Sequence, residues 1–341
     1  MNEAGYSMKH DIALQDGHGR VHDYLRLSVT DKCNLRCRYC MPPEGITTLS
    51  HDEVLRNEEF LRLMTIFRGL GVKKIRFTGG EPLVRRGFID LAARAAGLML
   101  GMELCLTTNG LLLENHLESL RDIGLRKINI SLDTLSPERY RYLTGDDGLT
   151  KITGAIERAL GMDAFHIKVN AVLFKETVAE LDGLLDYFKD KNVVLRFIEL
   201  MPIGGPGNGL DFISVEDLAD ALSRRGTLSR NGPGDTRVAR MYRYLYRGLY
   251  PMELGLIPPV SDKFCSRCNR VRLSCGGQLR VCLCGAAACD LKAPLRDGAS
   301  DERIAAIIRE CLAQKPLEHR ITCGETDRTC AHIPSMSKIG G

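Results

Sequence analysis

Between residues 25 and 201 the chain alternates two patterns of apolar and polar positions. Short runs with a period of two are separated by longer runs whose apolar residues recur every three or four positions. The first kind predicts strands at 25–30 (LRLSVT), 73–80 (KKIRFTGG), 102–110 (MELCLTTNG), 127–133 (KINISLD), 167–174 (IKVNAVLF) and 193–200 (VVLRFIEL). The second predicts helices, FIDLAARAAGLML and TVAELDGLLDYFKDK among them. Six strand-then-helix units argue a parallel sheet, either open or curled into a barrel.

The polar positions bear on that choice. A strand covered on both faces reads as nearly continuous apolar sequence. Here every second residue is polar instead: Arg26, Ser28 and Thr30; Arg76 and Thr78; Thr107 and Asn109; Asn129, Ser131 and Asp133; Lys168 and Asn170; with Arg196 on the sixth strand. A period of two puts each set on one side of the sheet. An ordinary eight-stranded barrel fills its interior with branched apolar layers, so a polar interior implies a wider or incomplete barrel around a guest. Arg26, Arg76, Lys168 and Arg196 make the lining cationic, and the guest should be anionic. An antiparallel sheet with one wet face would need hairpins, whereas these connections are helix-length.

Composition adds bounds. The chain has 341 residues, 44% hydrophobic and 26% charged, which fits a soluble globular protein of about two domains. A net charge of +4 is too mild to argue for nucleic-acid binding. No apolar run approaches the ~18 residues of a membrane span, and MNEAGYSMKHDIALQ has no signal-peptide core. The expectation is a cytoplasmic protein with no membrane or nucleic-acid partner. After residue 201 the character changes to Gly/Pro-rich MPIGGPGNGLDF, a helix at SVEDLADALSRR, and basic, Tyr-rich RVARMYRYLYRGLY. The expected division is an extension over 1–22, a partial barrel over 23–225 and a C-terminal domain over 226–341.

Thirteen cysteines is a high and odd count. They gather at 33–40 and 265–289, with Cys105, Cys311, Cys323 and Cys330 scattered. That distribution suits metal binding better than a disulfide framework. Cys33, Cys37 and Cys40 follow the first strand at its C-terminal end, where barrel sites are built. Three thiolates are one too few for a structural zinc site. A four-iron cluster held by three keeps one iron open, able to take an amine and a carboxylate. Cys265, Cys268 and Cys282 read on spacing alone as either a zinc ribbon or another cluster. Arg270 and Arg272 alternate just after Cys268, and guanidinium forks suit phosphate.

The Cys-x3-Cys-x2-Cys spacing, Tyr39 before its third cysteine and TGGEP (78–82) resemble the radical S-adenosylmethionine (SAM) superfamily. Longer stretches narrow this. LRLSVTDKCNLRCRYCMP, KKIRFTGGEPLVRR, LTTNGLLL, INISLDTL, KVNAV, RFIELMPIG, FCSRCNRVRL and the SKIGG terminus resemble the GTP 3′,8-cyclase family of molybdenum cofactor biosynthesis. The resemblance implies an α/β fold, an incomplete (β/α)6 TIM-like barrel of the radical SAM type with a C-terminal iron–sulfur extension. It implies two [4Fe–4S] clusters, one on Cys33, Cys37 and Cys40 and one on Cys265, Cys268 and Cys282. SAM would be contacted by Tyr39, Gly80, Ser131 and Met201. GTP would be contacted by Arg26, Arg76, Thr107, Lys168, Arg270, Val271 and Arg272, with Arg270 and Arg272 catalytic. The implied reaction is a lyase-class conversion of GTP to (8S)-3′,8-cyclo-7,8-dihydroguanosine 5′-triphosphate. Implied partners are a flavodoxin- or ferredoxin-like electron donor, a downstream pyranopterin-forming synthase and a second copy in a homodimer, with Gly340 and Gly341 reaching the active site. On residues alone, Met201 reads as core filler and Ser131 as a cap for the helix beginning near Pro137. Cys275, Cys284 and Cys289 fall outside the family's ligand pattern and are expected as buried thiols; were Cys284 a fourth ligand instead, the second cluster would lose its open iron. Two other readings stay open: a radical SAM peptide-modifying enzyme with an auxiliary cluster, and a non-catalytic zinc protein that binds nucleic acid through 237–250.

Overall fold

A computed structural model describes residues 13–42, 44–203, 210–230, 238–285, 288–321 and 336–339. All six expected strands are present: β1 (Tyr24–Ser28), β2 (Lys74–Thr78), β3 (Glu103–Thr108), β4 (Lys127–Ser131), β5 (His166–Leu173) and β6 (Val193–Glu199). Each pairs in parallel with the next. Between them lie α1 (Asn57–Gly69), α2 (Phe88–Leu98), α3 (Leu117–Asp122), α4 (Pro137–Thr144), α5 (Leu149–Gly161) and α6 (Leu181–Phe188). The period of two reappears as burial. On β5, Ile167, Val169, Ala171 and Leu173 are buried, while Lys168 and Asn170 stand half-buried on the opposite face. The apolar face packs on the helices, as where Phe77 of β2 meets Phe88 of α2 edge to face with ring centroids 5.5 Å apart.

Helix ends are set by local chemistry. At α4, Ser136 Oγ accepts from the Arg139 amide at 3.3 Å, Pro137 opens the first turn, and Gly145 ends the helix at φ 75°. Ser136 is therefore the cap, and the expectation that Ser131 fills that role is corrected. Ser131 closes β4 instead, opposite Asn170.

The C-terminal part extends the same sheet. It comprises α7 (Val215–Ser223), β7 (Gly226–Arg230), β8 (Arg240–Tyr246), β9 (Tyr250–Ile257), β10 (Arg270–Leu273), β11 (Gln278–Arg280), β12 (Ala288–Asp290), α8 (Lys292–Arg296), α9 (Asp301–Ala313) and α10 (Met336–Ile339). β9 joins β6 in parallel and β10 joins β1 in parallel, so eight strands run one way. β8 and β7 continue antiparallel beyond β9, and β11 and β12 beyond β10. The sheet is open, with β12 and β7 at its edges.

Tyr244 and Tyr246 of β8 are 1% and 0% exposed. They pack into the core and cannot serve as stacking platforms, whereas Tyr242 and Tyr250 of the same stretch are half-buried. Glu199, buried at the end of β6, accepts from the amides of Val215, Val260 and Ser261 at 3.0, 2.9 and 2.9 Å. It thereby ties α7 and the segment leading to Cys265 onto the sheet.

Cys275 is buried as expected, whereas Cys284 is only half-buried, because it turns toward Cys282. Cys289 is not a free thiol: it is disulfide-bonded to Cys311 of α9, with Cα atoms 6.1 Å apart. The register explains this, since Cys289 stands opposite Leu279 on β12 and Cys311 lies against the Leu279 carbonyl. α10 is anchored by Ile339, which is 1% exposed in a cluster with Ile203, Val260 and Ile321, against Met201, Leu283 and Cys284. Gly340 and Gly341 lie outside the described residues. Among the described residues no helix is long and apolar enough to cross a membrane.

Candidate active site

Strand register sets the plan of the site. β10 lies beside β1, with Arg270 opposite Tyr24 and Arg272 opposite Arg26. Cys265 and Cys268 come just before β10, at the end where β1 begins, whereas Cys33 follows β1 at the end where it finishes. β11 runs back along β10 with Arg280 opposite Arg272, which returns Cys282 to the end occupied by Cys268. The two cysteine triads thus sit at opposite ends of neighbouring parallel strands. Five residues of β1 span about 16 Å at ~3.3 Å per residue.

At the finishing end, Cys33, Cys37 and Cys40 are half-buried. Their loop is pinned to the end of α4, because the amides of Arg36 and Arg38 donate to the carbonyls of Thr144 and Leu143, both at 2.9 Å. Tyr39 donates its hydroxyl to Asp133 Oδ2 at 2.7 Å, and the Val172 amide donates to Asp133 Oδ1 at 2.8 Å. Burial pushes the Cys37 thiol well up, and the charges of Cys40, Asp133 and Cys33 add to it. Burial likewise raises Cys33 and lifts Asp133 to about 6. Desolvated thiols among acidic neighbours ionise more readily with a cation between them, which a bound metal cluster would supply.

The TGGEP turn closes over this loop. Gly79 has φ 142°, and Gly80 donates its amide to the Thr30 carbonyl at 2.7 Å. A Cβ on Gly80 would collide with the Lys32 carbonyl. Glu81 accepts from the Leu83 amide (3.0 Å), the Thr108 hydroxyl (2.8 Å) and the Asn109 amide (2.7 Å), and burial pushes it up to about 7. Met201 is half-buried against the Ile203–Val260 cluster and Ser131 half-buried at the end of β4.

Between the triads runs a row of cations. Arg280, Arg272, Arg26 and Arg76 stand opposite one another across β11, β10, β1 and β2. Burial lowers Arg26 to about 10, and Arg272 and Arg196 to about 9, with neighbouring guanidinium charges adding to the effect. Lys168 is lowered by burial and then by Arg196, Lys74 and Arg76. Tyr24 answers these charges. Its hydroxyl accepts from Arg76 Nε at 2.7 Å, and although burial pushes the phenol up, Arg76, Arg26, Arg270 and Lys74 bring it down to about 8. Crowded, desolvated cations are relieved by an anionic guest. Thr107 Oγ1 and Arg270 Nε are buried with no hydrogen-bond partner among the described residues. A cavity of about 1030 Å3 opens at the starting ends of the strands, lined by Arg76, Asn129 and Lys168 and by Lys74 and Lys127, which both pair with Glu103.

At the starting end, Cys265, Cys268 and Cys282 are half-buried, with Val271 buried behind Arg270 and Arg272. Burial raises Cys265. Cys282 is lowered, first by a hydrogen bond from the Cys284 side chain, then by the Cys284 amide and the charges of Lys315 and His319, against burial. Cations around thiolates suit an anionic cluster. Among the described residues no three His, Cys, Asp or Glu side chains converge on a single ion; thiolates that each take a separate iron of one cluster need not converge.

The structure brings Arg76 and Lys168 into one cavity, places Arg26 and Arg272 beside them by register, and sets Tyr39 and Gly80 against the first triad. Sequence reasoning missed Tyr24, Glu81 and Lys315. Tyr24 continues the period-two series of β1 by one step and Glu81 lies inside TGGEP, but Lys315 carries no local signal.

Residues 27–188 match the Radical SAM superfamily and residues 193–321 match Molybdenum Cofactor Synthesis C. The fold is similar to that of Streptococcus suis SuiB, with a TM-score of 0.61 at 14% identity over 90% of this chain and 68% of that one. A GTP 3′,8-cyclase of Pelotomaculum thermopropionicum is 41% identical over 96% of this chain and 100% of its own length. One from Moorella thermoacetica is 39% identical over the same shares. Similarity at this level along almost the whole length makes the chain a member of the GTP 3′,8-cyclase family of radical SAM enzymes.

Proposed function

We propose that this enzyme cyclises GTP by joining the ribose 3′ carbon to guanine C8, in the first step of molybdenum cofactor biosynthesis. One observation carries the reading: two three-cysteine sets lie at opposite ends of adjacent parallel strands with a guanidinium row between them. Cys33, Cys37 and Cys40 would hold one [4Fe–4S] cluster with SAM, and Cys265, Cys268 and Cys282 a second. When bound, the first cluster with SAM supplies the radical that begins the reaction.

The chain's own residues do the rest. Arg26, Arg76 and Lys168 grip the triphosphate, which their crowding favours. Arg270 and Arg272 hold the nucleotide beside the second cysteine set, where the orphaned Arg270 Nε gains a partner. Thr107 Oγ1 supplies a further polar contact. Tyr39, Gly80, Ser131 and Met201 seat SAM, the Gly79-Gly80 turn allowing close backbone approach. Joining two atoms of one nucleotide needs both halves held in a near-attack geometry, and gripping base and phosphates separately meets that need. A guanidinium row suits a triphosphate better than a peptide. A flavodoxin- or ferredoxin-like donor would supply electrons, and a pyranopterin-forming synthase would take the product, in the cytoplasm and as a homodimer.

Anaerobic purification tests this. The expected result is a brown protein with about eight irons per chain that turns GTP, SAM and reductant into the cyclised nucleotide and 5′-deoxyadenosine. Tightly held zinc, or deoxyadenosine with GTP unchanged, would refute it.

A further inference from the structure

Beyond α9 the chain turns back under the second cysteine set, and Lys315 is 4% exposed there. Its ammonium donates to the carbonyls of Arg270 (2.7 Å) and Val281 and hydrogen-bonds the Cys268 side chain. Three donors are all an ammonium has. Among the described residues no carboxylate pairs with it. A buried charge with no counter-charge is costly, and the anion-forming groups closest to hand are Cys268 and Cys282.

The segment that carries Lys315 is built around the same sulfurs. The His319 amide donates to Cys265. Arg20 donates to the Cys265 carbonyl at 2.8 Å and to those of Pro316 and Leu317, each at 2.7 Å, while Asp16 holds the guanidinium at 2.6 Å. The Cys284 amide serves Cys282. Each thiol of the set therefore has a nitrogen donor, and two of the three donors come from residues 315–319.

We infer that Lys315 is the buried counter-charge of the second cluster, a positioning residue that orients its thiolates and raises its reduction potential. This rests on the reading that Cys265, Cys268 and Cys282 hold a cluster. Reduction adds negative charge, so a fixed cation and N–H···S bonds stabilise the reduced form and move the potential upward. At the finishing end of β1 the thiols stand mainly among acidic groups, Glu81 beside Cys33 and Asp133 beside Cys37, with the Arg36 guanidinium acting the other way on Cys33.

The test uses the full chain with Cys33→Ala, Cys37→Ala and Cys40→Ala, so that iron occupies the second site alone. Lys315→Met and Lys315→Arg are compared in that background by iron content and by a redox titration followed by electron paramagnetic resonance. Expected are about four irons per chain in the parent, a more negative midpoint in Lys315→Met, and an unchanged one in Lys315→Arg. An unmoved midpoint in Lys315→Met overturns the inference. If Lys315→Met loses its iron, retention by Lys315→Arg still supports a need for charge. Loss in both marks Lys315 as a clamp on two carbonyls and overturns it. A parent without iron overturns the two-cluster reading itself, and the role of Lys315 with it.

Discussion

The two ends of β1 carry the same three-cysteine set in opposite fields. Where the strand finishes, the charges of Glu81 on Cys33 and of Asp133 and the neighbouring cysteines on Cys37 oppose ionisation of the thiols, while Arg36 acts the other way on Cys33. Where the strand begins, Cys268 and Cys282 face Lys315, and Arg272 lies beside them. An acidic surround disfavours added electrons and so suits a centre that must give one away; a cationic surround favours a centre that holds a substrate without discharging into it. Three cysteines do not define a role. The residues behind them do.

The sharpest way to break this comparison is to remove one ligand at each end. Cys33→Ala should abolish both 5′-deoxyadenosine release and cyclisation. Cys282→Ala should leave deoxyadenosine release with dithionite largely intact and abolish cyclisation, both products being followed by chromatography. Parallel loss in Cys282→Ala would mean that the ends do not divide the work.

Acid should distinguish the ends next. His22, buried beside Asp16 at 2.9 Å, is lowered from 6.5 to about 4, by burial first and then by the charge of Lys315. Its folded value lies below its unfolded one, so the unfolded chain takes up more protons between those limits. The stability it contributes is complete above pH 6.5 and is lost as the pH falls toward 4, about 3 kcal/mol in all. Urea unfolding of wild type and His22→Gln at pH 7 and pH 4.5 should show the steeper acid loss in wild type.

Arg76→Ala opens the wall between the ends. One charge-assisted contact is worth roughly 1.5–3 kcal/mol, so GTP affinity should fall about 10- to 100-fold in equilibrium binding while guanosine is little affected. Equal losses would take Arg76 out of the phosphate grip. The smallest expected effect is at Asp133. Its carboxyl lies near 6, so it is mostly charged at pH 7.5, and Asp133→Asn should raise the first cluster's potential and slow deoxyadenosine release about tenfold, or ~1.4 kcal/mol. An unchanged rate would remove Asp133 from the field at that end.

Much of this was legible in the chain because periodicity reports burial. The six strands and the cationic interior follow from alternation alone, and β5 shows that alternation residue by residue. Three features were not legible. β9 and β10 are recruited to β6 and β1 by packing, and nothing within YPMELGLI or RVRL says which edge they join. The Cys289–Cys311 link depends on the register of β12 and the placement of α9. Lys315 lies 33 positions beyond Cys282, and sequence near a ligand cannot reveal a partner that folding delivers from elsewhere.

β1 and β10 are also a caliper. Their side-by-side register fixes how far apart the two jaws are held and which way the teeth point. One residue added within β10 would turn Arg270 and Arg272 toward the helical layer. Two would restore their direction but displace the lower jaw by about 7 Å.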